Sequence, residues 1–232
     1  MRGTSANDAR IRAVIGWDVR NWARALPFWQ RQIDLHRPRR ALAIGERGGG
    51  LSLWLATQGI QVVCTDLGSS FERARELHER YGVSDLVTYE ELDATAIARP
   101  DQSFDLVVFK SVIGALRTKE RQEQAIGEMH RVLRPNGLLL FAENLVGSRL
   151  HAQMRSRFVP WEQAWRYIRL REVRELLAVF DTLELKTWGV VGLLGRTERQ
   201  RDLLGRIDSL ASPRVPPAWR YILFAACLKR DG

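Results

Sequence analysis

The sequence is poor in cysteine, histidine and methionine, with two, four and three of these residues among 232. Cys64 and Cys227 lie in apolar stretches typical of buried strands, so we predict neither a disulfide nor a metal site. No apolar run is longer than a strand, which predicts no membrane span. The polar residues 1–12 predict a frayed tail and contain no apolar segment of the kind that a secretory signal needs. The cytoplasm is therefore the default compartment.

Acidic residues are fewer than basic ones: 27 Asp and Glu stand against 36 Lys and Arg, a formal net charge of +9. Such an excess favours an anionic partner, namely nucleic acid, an anionic membrane surface, or a phosphorylated or acidic small molecule. An arginine-rich codon bias explains the same composition without any partner. The basic residues are scattered and no separate RNA-binding module is recognisable, so nucleic acid is disfavoured, although the charge keeps it open.

Apolar segments alternate with polar, helix-forming segments over much of the chain. The segments that we predict as strands are 40–44, 60–66, 86–92, 104–109, 138–143, 183–194 and 219–229. This alternation predicts a doubly wound α/β fold with a mostly parallel seven-stranded sheet and helices on both faces. We expect one domain over residues 1–232.

Two regions lie outside this alternation. Residues 1–37 predict an N-terminal helical cap with a break or kink near Pro27. Residues 148–178, which contain seven arginines, predict a helical lid insertion after the fifth strand.

The aromatic and arginine side chains of these two regions are candidate substrate contacts: Trp17, Trp22, Trp161, Trp165 and Arg166. Guanidinium groups bind carboxylates or phosphates, and indole faces bind sugars, rings or cations. An amphipathic helix with a buried aromatic face and solvated arginines explains the same residues equally well.

The clearest local signal is a short strand, a glycine-rich turn and a second strand that ends at Asp66. Glycines let a ligand approach main-chain N–H groups, and an acidic side chain at the end of the second strand can accept hydrogen bonds from both ribose hydroxyls. No Lys-Ser or Lys-Thr follows the glycines, which excludes a P-loop. The spacing also departs from the Gly-x-Gly-x-x-Gly of dinucleotide enzymes. The pattern predicts a ligand with a nucleoside part.

Several motifs resemble those of the class I S-adenosylmethionine-dependent methyltransferases. Residues 41–49 (Ala-Leu-Ala-Ile-Gly-Glu-Arg-Gly-Gly) resemble the first motif of that family, 63–67 its ribose-binding strand end, and 103–108 its fourth-strand motif. Residues 128–140 (Glu-Met-His-Arg-Val-Leu-Arg-Pro-Asn-Gly-Leu-Leu-Leu) are very similar to the helix and turn before its fifth strand. The resemblance extends over about residues 38–145.

The resemblance implies a Rossmann-like fold with an antiparallel last strand, and S-adenosylmethionine as cofactor. The cofactor-binding residues that it implies are Gly45, Glu46, Gly48, Gly49, Asp66, Leu67, Asp93, Ala94 and Lys110. Asp93 corresponds to the acid that meets the adenine amino group, and Lys110 either points at the pocket or ends a solvated strand. The chain departs from the family pattern at Ala43, where an acid is common, and at Arg47, where a glycine is common. Both departures bear on the methionine end of the cofactor.

The methyl acceptor is expected beyond the carboxyl ends of the fourth and fifth strands, where ligands bind in open α/β sheets. His151 is the candidate general base, because an imidazole takes a hydroxyl proton near neutral pH. A surface or helix-capping histidine is the alternative. Glu143 is a candidate base, an orienter of His151, or a partner of an arginine. We predict O-methylation of a small or medium-sized acceptor, a sugar or natural-product hydroxyl with or without an anionic group.

Two other functions stay open. RNA or another macromolecule is the first, although no Asn-Pro-Pro-Tyr type of motif that cradles a nucleobase amine follows the fourth strand. A non-catalytic subunit that binds the cofactor and acts through a partner is the second. The sequence does not determine the oligomeric state.

Overall fold

The computed structural model describes residues 6–68, 70–148, 151–153 and 165–230. One seven-stranded sheet crosses the molecule, built from β1 Arg40–Ile44, β2 Gln61–Asp66, β3 Val87–Glu91, β4 Phe104–Lys110, β5 Leu133–Asn144, β6 Thr182–Trp188 and β7 Ile222–Leu228. The strand order is β3-β2-β1-β4-β5-β7-β6. Strand β7 runs antiparallel to both of its neighbours, whereas the other neighbouring pairs are parallel. The predicted fold class is confirmed.

The helices with defined bounds are α1 Ala6–Ile15, α2 Val19–Trp22, α3 Ala25–His36, α4 Gly50–Ala56, α5 Glu72–Arg80, α6 Lys119–Val132, α7 Leu170–Leu176 and α8 Glu198–Ala211. Alternate side chains of the central strands point into two apolar cores, one under α1 to α5 and the other under α6 and α7. Burial on both faces explains why β4 reads as an almost continuous apolar run. In the part of the chain that the structure describes, no helix is long and apolar enough to span a bilayer.

The N-terminal region is more ordered than predicted. Helix α1 occupies most of the stretch that we interpreted as a tail, and it packs against α4. The helical segment is interrupted by a turn at Ala23 and Arg24, before Pro27 and not at it. Pro27 lies in the first turn of α3, where a missing N–H group costs no helical hydrogen bond.

The region predicted as a lid is described only in part. Residues 149–150 and 154–164, including Trp161, lie outside the described residues. Residues 165–169 are not helical as predicted, and Ile168 forms a parallel bridge with Leu145 just beyond β5. The lid as a whole stays a prediction.

A buried polar network joins the N-terminal region to the last strand. The Tyr221 hydroxyl donates to Asp18 Oδ2 at 2.6 Å, and Asn21 Nδ2 donates to Asp18 Oδ1 at 3.1 Å and to Asp208 Oδ2 at 3.0 Å. Burial raises the pKa of Asp18 to about 7. The network fixes α2 against α8 and β7, although the apolar pattern of the sequence gives no sign of it.

Candidate cofactor and acceptor site

The predicted site residues collect at the carboxyl edge of the sheet, where the strand order reverses between β1 and β4. Ligands of open α/β sheets bind at such a switch point. Two cavities lie there and share Gly45 and Arg47. We name them by their polar side chains: the Asp66 cavity, of about 630 Å3, and the Lys110 cavity, of about 570 Å3.

The turn after β1 needs a glycine at its first position. Gly45 has a φ of +72°, and a Cβ there would lie 2.5 Å from Val112 Cγ2. The next residue, Glu46, turns its buried carboxylate back toward α4 and accepts a hydrogen bond from the Ser52 N–H at 3.0 Å. Burial raises the pKa of Glu46. Glu46 lines the Lys110 cavity, but its carboxylate also caps a helix end that an anionic ligand would otherwise meet.

Gly48 and Gly49 have different surroundings. Gly48 lines the Lys110 cavity, whereas Gly49 packs against α5, where a Cβ would overlap the His78 ring. His78 Nε2 donates to the Gly49 main-chain oxygen at 2.8 Å, and the Tyr89 hydroxyl lies 2.8 Å from Nδ1. This histidine fixes the turn, and sequence reasoning missed it because its partners come from two other elements.

The Asp66 cavity brings together the residues that the resemblance assigned to the nucleoside. Asp66, Leu67, Asp93 and Ala94 line it, and Val112 forms another wall. Leu67 is 63% exposed, which leaves an apolar surface for a planar ring. Asp93 Oδ1 accepts two hydrogen bonds from Thr95 at 2.8 Å, and the one from the Thr95 N–H contributes most to lowering the pKa of Asp93.

Arg47, one of the two departures from the family pattern, reaches across this cavity. Its Nε lies 3.5 Å from Asp66 Oδ2, and its side chain is largely exposed. Because the guanidinium is solvated, and its nearest nitrogen is 3.5 Å from the carboxylate, the pair contributes little to stability. The carboxylate predicted to bind the ribose therefore already has a partner that a ligand can displace.

Glu143 holds the loop that follows β4. Its fully buried carboxylate accepts hydrogen bonds from the N–H groups of Ile113 at 2.8 Å and Gly114 at 3.4 Å through Oε2, and of Asn144 at 2.8 Å through Oε1. Burial raises the pKa of Glu143 to about 7. Because both oxygens are used and Glu143 lines none of the cavities described here, the geometry favours a positioning role over the predicted role as a base.

Arg166 and Trp165 support the same loop. The Arg166 guanidinium contacts Gln122 and lies 3.1 Å from Glu172, and its main-chain N–H donates to the Gly114 oxygen at 2.8 Å. These bonds use the guanidinium inside the protein and do not fit the predicted anion contact. Trp165 packs on Gly114 and lines the Asp66 cavity, with its buried Nε1 unpartnered among the described atoms.

Lys110 points into the site rather than to solvent. Its Nζ donates to the main-chain oxygen of Ile15 at 2.6 Å and lies 5.0 Å from the Trp17 ring and 5.3 Å from the Trp22 ring. Burial lowers the pKa of Lys110 to about 8. Trp22 is fully buried, so it supports this arrangement and does not fit the predicted substrate contact, whereas Trp17 is only partly buried.

His151 lies beside a third space, the His151 cavity, of about 830 Å3. Its Nε2 donates to the Val190 main-chain oxygen at 2.6 Å, and its Nδ1 accepts from the Ser148 N–H at 3.1 Å. With both ring nitrogens engaged and the ring buried, no lone pair is left for a substrate proton. The arrangement favours a structural role over the predicted general base.

Comparison with known proteins identifies the family. Residues 42–141 match the family described as a methyltransferase domain. Residues 42–141 therefore carry a methyltransferase domain of this family. The matched range covers most of β1 to β5, and it therefore contains the loop that Glu143 holds and the residues that line the Asp66 cavity, with the exception of Trp165. The family predicted from the motifs is confirmed.

Curated relatives share this domain over part of their length. The ubiquinone/menaquinone biosynthesis C-methyltransferase of Pseudoalteromonas translucida is 33% identical over 84 residues, 36% of this chain and 32% of the relative. The demethylmenaquinone methyltransferase of Thermus thermophilus is 34% identical over 122 residues, 50% of this chain and 53% of the relative. The chain thus spans a third to about half of the curated relatives it matches.

Solved structures share the fold. Phosphoethanolamine N-methyltransferase 2 of Haemonchus contortus, in complex with S-adenosyl-L-methionine, superposes with a TM-score of 0.59 at 20% identity. The match covers 83% of this chain and 49% of that protein. At this identity the likeness concerns the fold alone.

Proposed function

We propose that this protein binds S-adenosylmethionine and transfers its methyl group to a small or medium-sized acceptor. The observation that carries the proposal is the convergence of Gly45, Asp66, Leu67 and Asp93 on one cavity at the switch point of the sheet. Three cavities of about 570 to 830 Å3 along this edge favour a small acceptor over RNA or another macromolecule.

The residues present suit the cofactor. Asp66 would bind the ribose hydroxyls, Leu67 and Val112 would contact the faces of the adenine, and Asp93 with Ala94 would meet its edge. Trp165 Nε1, a buried donor without a partner among the described atoms, is suited to a polar ligand in the same cavity. Gly45, Gly48 and Lys110 would surround the methionine end. When bound, the cofactor supplies an electrophilic methyl group on a sulfonium, which the protein aligns with the acceptor.

The acid–base groups constrain the acceptor. Glu143 and His151 are both engaged by the protein, which favours an acceptor that ionises without a strong base, such as a phenolic or enolic natural-product hydroxyl, over a sugar hydroxyl. The cationic form of Lys110 would stabilise the resulting oxyanion. We therefore propose O-methylation. C-methylation next to such a hydroxyl is the second candidate, because the curated relatives are named as C-methyltransferases and the same oxyanion activates the carbon.

Calorimetric titration with S-adenosylmethionine and S-adenosylhomocysteine tests the cofactor site. Asp66→Ala should weaken binding by about 1–3 kcal/mol, because a charge-assisted hydrogen bond is lost. Asp85→Ala, at an exposed aspartate on the turn before β3, serves as the control and should bind like the wild type. No binding to the wild type, or equal binding by Asp66→Ala, would overturn the assignment. Binding with no turnover on any phenolic or enolic acceptor would favour the non-catalytic subunit.

A further inference from the structure

Helix α8 carries an apolar stripe on its exposed side. Leu203, Ile207 and Leu210 are spaced three and four residues apart and therefore share one face of the helix. They are 61%, 48% and 68% exposed. The opposite face packs inward through Gly205 and Asp208. A contiguous stripe of three large, exposed aliphatic residues is typical of an interaction surface.

The charges around the stripe are mainly positive. Between residues 194 and 219 the exposed charged side chains are Arg196, Arg199, Arg206 and Arg214. The acids of the same segment are held by other groups: Glu198 by Arg201 and the Asp18 N–H, Asp202 by Arg20 and by Arg206 itself, and Asp208 by main-chain N–H groups of 190–192. The outer side of this segment is therefore apolar in the middle and cationic around it.

The surface continues to the carboxyl edge of the sheet. The Val215 N–H donates to the Ala211 oxygen at the end of α8, and Val215 lines the His151 cavity. The exposed Trp219 and Leu194 also line that cavity, as do Arg169 and Arg171. An exposed indole is typical of side chains that sit at the boundary between lipid headgroups and acyl chains.

We propose that this surface, defined by Leu203, Ile207, Leu210 and Trp219 with the four surrounding arginines, docks the protein on an anionic lipid bilayer. The apolar stripe enters the acyl boundary and the arginines contact the headgroups, with α8 lying in the plane of the membrane. The positive charge favours an anionic surface as the partner. The apolar stripe favours a bilayer over nucleic acid, because the charged backbone of a nucleic acid has no apolar surface against which the stripe could be buried. An amphiphilic acceptor in that bilayer would face the His151 cavity, a corollary that rests on the proposed methyl transfer.

Co-sedimentation of the full chain with vesicles tests the docking without any cofactor or acceptor. The wild type should bind vesicles of phosphatidylglycerol and phosphatidylcholine at least about tenfold more tightly than pure phosphatidylcholine, and less tightly in high salt. The triple variant Leu203→Ser, Ile207→Ser, Leu210→Ser should bind the anionic vesicles about tenfold or more weakly than the wild type, because the apolar contacts are gone. The double variant Arg199→Gln, Arg206→Gln should have several-fold lower affinity for anionic vesicles and unchanged affinity for pure phosphatidylcholine vesicles.

The opposite edge of the sheet offers matched controls. Leu35, which is 73% exposed, and the exposed Arg39 lie next to the amino end of β1. Leu35→Ser and Arg39→Gln should bind vesicles like the wild type. Equal vesicle binding by wild type and triple variant would overturn the proposal, as would tight binding of a DNA duplex that the triple variant retains. A wild-type dimer in light scattering that the triple variant dissolves would assign the stripe to a second copy instead. Unchanged thermal unfolding of the variants shows that they fold.

Discussion

Lys110 Nζ donates a hydrogen bond to the main-chain oxygen of Ile15 at 2.6 Å, across 95 residues of sequence. The bond joins the carboxyl end of β4 to the last residue of α1. An ammonium group at a helix C-terminus also interacts favourably with the helix dipole. The position of α1 over the glycine turn is therefore coupled to the protonation of one buried lysine.

This coupling predicts a pH dependence. Because the pKa of Lys110 falls from 10.5 to about 8 on folding, the unfolded chain binds the extra proton between these pH values, and the stability of the wild type rises with pH in that window. The free energy of unfolding of the wild type minus that of Lys110→Met should therefore rise by roughly 1 kcal/mol per pH unit from pH 8 to 10. Urea titrations at several pH values measure it. Lys119→Met, at an exposed lysine, is the control, and a difference for Lys110→Met that does not change with pH would refute the coupling.

A second prediction separates positioning from catalysis at Glu143. Glu143→Ala leaves the N–H groups of Ile113, Gly114 and Asn144 without their acceptor, so the free energy of unfolding should fall by about 3 kcal/mol. Cofactor affinity should fall with it, because the loop lines the Asp66 cavity through Val112. Glu123→Ala on α6 is the control. Full stability together with lost methyl transfer would instead show that Glu143 is the base.

His151→Ala provides the corresponding test for the histidine. The substitution removes the partners of the Ser148 N–H and the Val190 oxygen, so we expect a loss of about 1–3 kcal/mol of stability. The pH profile of the initial rate, measured with any acceptor that the wild type methylates, should keep its shape. If the variant's profile lacks an ionisation near neutral pH that the wild type shows, His151 acts as the general base.

Gly114→Ala should damage the cofactor site without a change of charge. A Cβ at this position would overlap the Trp165 indole, which lines the Asp66 cavity, so the indole must move. We expect at least about tenfold weaker binding of S-adenosylhomocysteine by calorimetry. Gly127→Ala on α6, where a Cβ meets nothing within 4 Å, should bind normally and gain about 0.5–1 kcal/mol of stability. Equal affinity of the two variants would mean that Trp165 plays no part in the site.

The sequence predicts the cofactor side of this site better than the acceptor side. Asp66 follows a strand and a glycine turn, and strand order alone brings it to the switch point. Glu143 and His151 were predicted as candidate catalytic groups near this edge, but each of them also has a hydrogen-bond partner that lies 30 or 39 positions away in the sequence. Local spacing carries no information on such partners, so a group that looks available for catalysis turns out to be occupied.

The same limit applies to the aromatic residues. Trp22 and Trp17 share a short segment, yet the first is fully buried and the second is not, and helix α8, which packs against this segment, lies about 180 residues later in the sequence. Arg47, by contrast, was identified from a departure in the motif, and its position beside Asp66 bears directly on the cofactor pocket.

The hydrogen bond between Tyr221 and Asp18 has a consequence for biosynthesis. The two residues are 203 positions apart, so the ribosome completes Asp18 long before the strand that anchors it exists. The strands β1 to β5 are made before β7, whereas Asp18 gains its Tyr221 partner and β6 gains its neighbour in the sheet only after β7 has been synthesised.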